Sequence, residues 1–242
     1  MNHTLFDIHC HILPGIDDGS SSMEETIEMV LMAEEQGIKK VIATPHYSGQ
    51  FKNDNPEKIR RLCQETEEQI RKKTGKEFTV YPGQEIFYAD GVIDKLNRGE
   101  LLTMAGSDYV LLEFHPQVPY SLIYQVVREM LMNQYLPILA HVERYGVLRE
   151  KGKIEELIEA GAYIQVSYHS LCGKWYAETP RWCKKMLKNG NVHFLATDMH
   201  SPRSRRPKAA EAMEWIEKHL NDTYQEEILY KNAEMILKNE KL

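Results

Sequence analysis

Seven short apolar runs alternate with longer amphipathic patterns, and this alternation limits the possible folds more than any other feature of the chain. The runs cover residues 5–11, 40–44, 78–82, 109–114, 136–141, 163–167 and 193–197. Several are rich in β-branched residues and free of charge, which is typical of strands buried on both faces of a parallel sheet. Strand–helix units in series predict an α/β fold, either a closed barrel with one unit fewer than eight or an open doubly wound sheet.

The segments between the runs carry helix signals. A capping box at Ser22-Met-Glu-Glu25 begins one helix, which ends before Gly37. Further helices are predicted at residues 56–74, 122–133, 154–160, 182–188, 209–220 and 221–236. No G-x-G-x-x-G or Walker-type loop is present, which argues against the nucleotide-binding forms of the open sheet. Without a low-complexity segment or a long linker, residues 1–242 are predicted to form one domain.

The charge balance argues against a nucleic-acid partner. The chain has 30 Lys and Arg against 36 Asp and Glu, a formal net charge of -6, whereas proteins that bind phosphate backbones usually present a basic face. The amino-terminal residues lack signal-peptide character, and no apolar run is long enough for membrane insertion. Four scattered cysteines without a C-x-x-C pair predict reduced thiols and a cytoplasmic location. None begins a Cys-x5-Arg sequence, which argues against a phosphatase with that cysteine nucleophile.

Ionisable side chains gather at the carboxyl ends of the predicted strands, where parallel barrels place their active sites. They are His9, His11, Asp18, His46, Glu85, Glu113, His141, Asp198 and His200. Buried acids and imidazoles at this density would repel one another or stay unpaired without cations between them. Mixed nitrogen and oxygen ligands suit zinc, manganese or iron. The sequence therefore predicts a metal centre at this end of the sheet.

The first motif, FDIHCHILPGIDDG, shows the pattern most clearly. Side chains two apart on a strand share a face, so Asp7, His9 and His11 are predicted to point the same way, with Phe6, Ile8 and Cys10 on the other face. Each polar residue alone also has an ordinary structural explanation, and only the joint pattern makes that explanation improbable. Four other histidines are expected to be structural or solvated: His3, His115, His193 and His219. Four aromatic residues are expected in the core or at the rim, with the lining of a substrate pocket as the alternative: Tyr47, Phe51, Phe87 and Tyr88.

The chain resembles the PHP (polymerase and histidinol phosphatase) family, and within it the branch of bacterial capsule and exopolysaccharide tyrosine-protein phosphatases. The resemblance spreads over residues 7 to 207 and rests on the stretches DIHCHILPGIDDG, IATPHYSGQF, YPGQEIF, LLEF, PILAHVERY, HFLATDMHS and RRP. It implies a distorted seven-stranded (β/α) TIM-like barrel with three divalent metal ions. Manganese is the expected metal, with iron, zinc and magnesium as alternatives.

Site roles follow from the same resemblance. It implies a first ion held by His9, His11 and Asp198, a second by Glu113 and His141 with Glu85 shared between the two, and a third by Asp18, His46 and His200. Arg144 and Arg206 are implied as phosphate-binding residues. The group that protonates the leaving phenol stays open, with His200 and a metal-bound water as the two candidates.

The implied activity is hydrolysis of phosphotyrosine by direct attack of a hydroxide on phosphorus. The implied partner is an autophosphorylating tyrosine kinase that controls polysaccharide chain length, and assembly into an oligomer is compatible with the family. Two alternatives stay open. One is another metal hydrolase on the same barrel, such as a histidinol-phosphate phosphatase or an amidohydrolase, and the other is a non-enzymatic metal-binding regulator or scaffold.

Overall fold

The computed structural model describes residues 4–174 and 176–242, so His3 lies outside the described residues. The nine strands of the described residues are β1 (Leu5–Cys10), β2 (Ile38–Ala43), β3 (His46–Tyr47), β4 (Thr79–Pro82), β5 (Glu85–Phe87), β6 (Tyr109–Glu113), β7 (Leu136–Leu139), β8 (Tyr163–Ser167) and β9 (Phe194–Ala196). Their α-helices are α1 (Met23–Glu35), α2 (Pro56–Thr74), α3 (Val92–Asn97), α4 (Tyr120–Met132), α5 (Lys153–Glu159), α6 (Glu178–Lys188), α7 (Ala209–His219), α8 (Asp222–Glu226) and α9 (Asn232–Lys238). No helix in these two ranges is both long and apolar enough to cross a bilayer.

The strands pair in parallel around a barrel, in the order in which they occur along the chain. One sheet has the order β1-β2-β4 and the other β3-β5-β6-β7-β8-β9. Because β3 directly follows β2, and β5 directly follows β4, the two sheets join into seven strand positions. The circle closes where the segment after β9 meets β1: the Asp198 N–H donates to the His9 carbonyl at 2.9 Å, and the His11 N–H donates to the Met199 carbonyl at 2.9 Å. The predicted distorted seven-stranded barrel is confirmed, and the open sheet is excluded.

Two predicted strands, the second and the third, are each interrupted before they reach the mouth of the barrel. Pro45, which has no N–H to donate to a strand pair, separates β2 from β3. Gly83 separates β4 from β5, and a Cβ there would lie 2.7 Å from a methyl carbon of Ile42. These breaks let β3 and β5 turn towards β6 as a second sheet, and this turn carries His46 and Glu85 to the mouth.

Alternation along the strands divides the apolar side chains into two layers. Val110 and Leu112 of β6 belong to the layer that packs against the helices, whereas Tyr109 and Leu111 belong to the cluster inside the barrel. The same alternation turns Glu113, at the end of β6, inwards at the mouth. The barrel is therefore apolar along most of its interior and polar only at its carboxyl end.

Strand β1 departs from simple alternation. Its pairing with β2 is irregular between Asp7 and Cys10, and Phe6 and Ile8 pack in the cluster inside the barrel. The prediction that Asp7 shares one face with His9 and His11 is therefore wrong. The Asp7 carboxylate instead accepts hydrogen bonds from the backbone N–H of Thr197, at 3.0 Å, and from the Thr197 hydroxyl. Asp7 thus fastens the first strand to the last, and burial raises its pKa to about 6.

The helix ends follow the local signals in the sequence. The Ser22 hydroxyl accepts a hydrogen bond from the Glu25 N–H at the start of α1, and α2 runs from Pro56 to Thr74 as predicted. The predicted last helix is less regular, because a π-helical turn at Glu227–Lys231 separates α8 from α9. Helix α3 was not predicted, since six residues are too few to show a clear period.

Candidate metal centre

His9 and His11 face one another in a way that two neutral imidazoles do not tolerate alone. His9 Nδ1 lies 3.1 Å from Gln165 Oε1, and His11 Nδ1 lies 2.9 Å from a carboxylate oxygen of Asp17. Both Nδ1 atoms therefore act as donors and carry the ring protons. The two Nε2 lone pairs then point at each other across 3.2 Å. A positive charge between them, either a proton or a metal ion, is needed to stabilise this arrangement.

Two carboxylates complete the group around these nitrogens. Glu85 Oε2 lies 3.1 Å from His9 Nε2 and 3.2 Å from His11 Nε2. Asp198 Oδ1 lies 3.4 Å from His9 Nε2. All four side chains are buried, and their ligand atoms lie within 4.8 Å of one another. Two imidazole nitrogens and two carboxylate oxygens form a donor set suited to Zn²⁺, Mn²⁺ or Fe²⁺.

Two further groups adjoin the first and share side chains with it. One joins Asp18, His46 and His200 to His11, with Asp18 Oδ1 3.4 Å from His46 Nε2 and 3.6 Å from His200 Nε2. The other joins His46, Glu85 and Glu113.

His141 lies beside this last group. Its Nε2 is 2.8 Å from Glu85 Oε1 and 3.5 Å from Glu113 Oε1. All nine side chains predicted as ligands therefore lie together at the mouth. Glu85 belongs to two of the three groups, which is the geometry of a bridging carboxylate. His46 also belongs to two of them, although the resemblance implied it for the third ion alone.

The positive charges of the cluster shift the pKa of two buried carboxyl groups in the direction opposite to burial. Burial raises the pKa of Glu85, but the neighbouring His9, His11 and His141 outweigh it and hold the pKa well below its usual range. Burial also raises the pKa of Asp198, and His9 and His11 again reverse the shift. In return, nearby carboxylates raise the pKa of His11 well above its ordinary value. Glu85 and Asp198 therefore stay ionised, and the nitrogens between them attract either protons or cations.

Three buried atoms test whether metal ions fit this cluster. Glu85 Oε2, Asp198 Oδ1 and His200 Nε2 are buried, and none has a hydrogen-bond partner among the described residues. Each is a good metal ligand, and all point into the shared space. Leaving such atoms unpaired costs several kcal/mol in total, about 1–3 kcal/mol each. The residues present therefore fit divalent ions.

His200 was predicted both as a ligand and as a proton donor. Its Nδ1 lies 2.9 Å from the backbone oxygen of Asp198, which places the ring proton there. Burial and the adjacent His11 lower the pKa of His200 to about 2, so the ring is neutral at pH 7 and presents Nε2 as a lone pair. Both observations favour the ligand role.

Backbone strain is concentrated at two of these residues. His141 has φ +32° and Asp198 has φ +51°, in the left-handed region that residues with a Cβ rarely adopt. Each residue lies two positions beyond the end of a buried strand, β7 or β9, where a sharp turn aims its side chain back into the mouth. Such strain persists only where the surrounding structure holds it, and it is common at functional sites.

Two arginines reach the cluster from different loops. Arg144 donates a hydrogen bond to Asp198 Oδ2, and Arg205 Nη2 donates to the same oxygen at 3.0 Å. Arg205 Nη1 also lies 3.8 Å from Asp18. Both guanidinium groups line a cavity of about 460 Å³ at the mouth, where they are placed to bind an anion.

The structure places Arg206 away from the mouth, contrary to the predicted phosphate-binding role. Its Nη2 lies 3.7 Å from Glu211 Oε1 on α7, and the side chain is 51% exposed. The loop after β9 turns Arg205 inwards and its neighbour outwards. Two adjacent arginines look alike in a sequence, so the sequence did not reveal which one faces the site.

Sequence reasoning also missed two supporting residues. Gln165 on β8 is fully buried, and its Oε1 accepts both the His9 Nδ1–H and, at 2.8 Å, the His141 N–H. Asp17 orients His11 and accepts the His46 N–H at 3.0 Å. A polar residue inside the apolar run YIQVS was a usable signal for Gln165. For Asp17 the doublet with Asp18 was ambiguous.

Of the four other histidines among the described residues, three stand apart from the cluster, whereas the fourth, His169, lies close enough to Asp198, Arg144 and Arg205 to interact with their charges. His193 Nδ1 accepts the Ile164 N–H at 3.0 Å, and the His219 ring stacks on Trp215. His115 Nδ1 accepts the Gln117 N–H at 3.2 Å in a surface turn. These three are structural or solvated, as predicted.

Comparison with known proteins places this site in context. The family model described as capsular polysaccharide synthesis, CpsB/CapC, matches residues 5–238. The tyrosine-protein phosphatase YwqE of Bacillus subtilis is 33% identical over 241 residues, which span 98% of this chain and 92% of that protein. The tyrosine-protein phosphatase CpsB of Streptococcus pneumoniae is 32% identical over 240 residues, 96% of this chain and 98% of that protein.

A solved structure is similar over the same length. It comes from crystal structures of YwqE and CpsB from these two organisms, described as unique metal-dependent tyrosine phosphatases. It superposes with a TM-score of 0.89 at 30% identity and covers 98% of this chain and 96% of that one.

Proposed function

This chain belongs to the CpsB/CapC family of capsular polysaccharide synthesis, and from that premise we propose that it is a metal-dependent protein-tyrosine phosphatase of the PHP group. The observation that carries the proposal is the convergence of nine candidate ligand side chains with two arginines at one barrel mouth. The whole-length similarity to YwqE and CpsB supports the same activity. Residues 1–242 act as a single phosphoesterase domain.

The proposed cofactor is a set of three divalent ions, with Mn²⁺ as the native metal. His9, His11, Glu85 and Asp198 would hold the first, Glu85, Glu113 and His141 the second, and Asp18, His46 and His200 the third. Three overlapping groups of ligand atoms support this number. When bound, such ions attract a dianionic phosphate and make hydroxide available near neutral pH.

The protein itself supplies charge and position for the phosphoryl group. Arg144 and Arg205 approach the mouth from separate loops and converge on one carboxylate oxygen of Asp198, so the two guanidinium groups are placed to bind one phosphoryl group together. Donors fixed before the substrate arrives stabilise the charge that develops during transfer. The phenol of tyrosine, with a pKa of ~10, needs less assistance as a leaving group than an alkyl alcohol does.

The proposed physiological substrate is an autophosphorylated tyrosine kinase of polysaccharide synthesis, with phosphotyrosines in a tyrosine-rich tail. The open mouth supports access by a protein segment. The proposed location is the cytoplasm, which is supported by four free cysteines. Self-assembly into an oligomer is part of this proposal and is tested by the solution mass of the purified protein.

Metal analysis combined with substrate turnover tests the proposed function. Purified protein should contain transition metal, hydrolyse a phosphotyrosine peptide, and lose this activity on chelation, with recovery on addition of Mn²⁺. Histidinol phosphate and a cyclic amide, assayed side by side, represent the competing hydrolases. Faster turnover of either, or activity that survives complete chelation, would contradict the proposal. Alanine at His46 or Asp198 should abolish turnover in a folded protein.

A matched pair of arginine variants tests the proposal that Arg205, and not Arg206, binds the phosphate. Arg205→Met should lower kcat/KM for the phosphotyrosine peptide by about 10²-fold, the usual effect of removing one donor to a developing charge. Arg206→Met should change it less than twofold, because that side chain pairs with Glu211 on the surface. Equal losses in the two variants would refute this assignment.

A further inference from the structure

Two phenylalanines stand at the mouth of the barrel among otherwise charged and polar groups. Phe51 and Phe87 line the same cavity as Asp18, Glu113 and Arg205. Both rings are partly exposed. Among the described residues, neither ring belongs to the apolar layers inside or outside the barrel. An apolar ring in such a place gains little from packing, so its position calls for another explanation.

The backbone of β5 aims the Phe87 ring at the cavity. Phe87 is two residues beyond Glu85 on the same strand, so the two side chains share a face. Glu85 points into the metal-binding groups. Phe87 lies closer to the solvent than Glu85 and pairs in register with Glu113 on β6. The adjacent Tyr88 takes the opposite direction, and its ring packs on Phe114 at 5.7 Å.

A short turn holds the Phe51 ring beside a predicted metal ligand. The Ser48 N–H donates to the Phe51 carbonyl at 2.9 Å, and the Phe51 N–H donates to the Ser48 hydroxyl at 3.2 Å. The Phe51 ring stacks on His46, with centroids 5.9 Å apart and ring planes 13° from parallel. The turn therefore places an aromatic face directly outside the metal-binding groups.

We infer that Phe51 and Phe87 form an aromatic slot that receives the phenyl ring of phosphotyrosine and selects aryl over alkyl phosphate monoesters. This inference rests on the proposed phosphatase function and adds the source of its substrate selectivity. A phosphoryl group bound by Arg144 and Arg205 leaves its ester oxygen facing the cavity. The next group outwards in phosphotyrosine is a ring, and aromatic pairs attract at centroid separations of about 4.5–7 Å. Phosphoserine has one methylene there and cannot make this contact.

Leucine substitutions with two matched substrates test the slot. The substrates are phenyl phosphate and an alkyl phosphate whose alcohol is fluorinated until it is as acidic as phenol, so that leaving-group chemistry is equal. In Phe87→Leu and Phe51→Leu, kcat/KM for phenyl phosphate should fall about 3- to 10-fold, the loss of one aromatic contact. The value for the alkyl phosphate should change less than twofold.

Three controls separate the slot from general damage. Tyr88→Leu removes a neighbouring ring that faces away and should leave both substrates unaffected. Phe87→Tyr keeps the ring and should keep the selectivity. Metal content, measured in each variant, should stay at the wild-type value. Equal losses for the two substrates, or no loss for phenyl phosphate, would overturn the inference.

Binding of phosphonates distinguishes failure of the slot from failure of the proposed function. The wild-type protein should bind phenylphosphonate more tightly than ethylphosphonate, and the leucine variants should lose this preference. That result would support the slot even if the preparation hydrolysed neither ester. The missing hydrolysis would then contradict the phosphatase function but not the slot. A wild-type protein that hydrolyses phenyl phosphate yet binds both phosphonates equally would retain the function and refute the slot.

Discussion

Replacement of Gln165 by leucine should weaken metal binding without touching a ligand. Gln165 Oε1 is the acceptor for two buried donors, His9 Nδ1 at 3.1 Å and the His141 N–H at 2.8 Å. This oxygen keeps the ring proton of His9 on Nδ1 and leaves Nε2 as a lone pair for a metal. Leucine has a similar volume but no acceptor, so the His9 ring loses its fixed tautomer and orientation.

The expected magnitude follows from these two contacts. A buried donor that loses its partner costs about 1–3 kcal/mol, so the unfolding free energy of the metal-free protein should fall by roughly 2–6 kcal/mol. Loss of a hydrogen-bond partner behind a metal-bound histidine usually lowers metal affinity by about 10–100-fold. The weakest-bound ion should therefore be released at a correspondingly lower chelator concentration.

Gln165→Glu is the matched control, because it keeps an acceptor oxygen in the same place. The Nε2 of Gln165 has no hydrogen-bond partner within the described residues, so its replacement breaks no hydrogen bond there. Equilibrium competition with a metal-binding dye measures affinity in all three proteins, and urea unfolding after chelation measures the stability of each. The glutamate variant should bind metal at least as tightly as wild type. Wild-type affinity in the leucine variant would refute the reasoning.

Three further outcomes are expected. Burial lowers the pKa of His193 from 6.5 to about 4. Between pH 7 and pH 5 the unfolded chain therefore binds a proton that the folded protein does not, and the free energy of unfolding should fall by about 2 kcal/mol over this range. His193→Asn retains an acceptor for the Ile164 N–H but does not titrate, so its free energy of unfolding, measured with urea, should fall less between pH 7 and pH 5. An equal fall in the wild type and the variant would contradict this. A Cβ at Gly19 would lie 2.2 Å from the His11 carbonyl oxygen. Gly19→Ala should therefore lower the stability of the protein by about 1–3 kcal/mol, measured by thermal melting, and lower its metal content, measured by metal analysis. Chelation of the wild-type protein should lower its melting temperature, because the buried acids and imidazoles then lack their cations; an unchanged melting curve would exclude structural coupling to metal.

The strand pattern was readable from the sequence because parallel strands are apolar on both faces and stop at polar residues. That rule predicted the seven strand positions and the end at which the nine ligands meet. It did not predict the breaks at Pro45 and Gly83, because those depend on how neighbouring strands approach each other. A register irregularity in β1 likewise removed Asp7 from the site, since no local signal marks where a strand slips.

Side-chain direction in loops was the other limit. Arg205 and Arg206 have the same chemistry and adjacent numbers, and only the path of the chain after β9 decides which one enters the mouth. Gln165 acts through His9, a contact across 156 residues of sequence. Long-range partners of this kind are set by the closed barrel and not by any local pattern.

The closure between the first and last strands determines when the metal centre can exist during synthesis. Asp7 and His9 leave the ribosome well before Asp198 and Thr197, since Thr197 lies 190 residues beyond the Asp7 carboxylate to which it donates. A nascent chain therefore carries an incomplete set of ligands until Asp198 and His200 are made. Ion capture and ring closure become one late event, so an interrupted polypeptide keeps its early histidines but never assembles a complete centre.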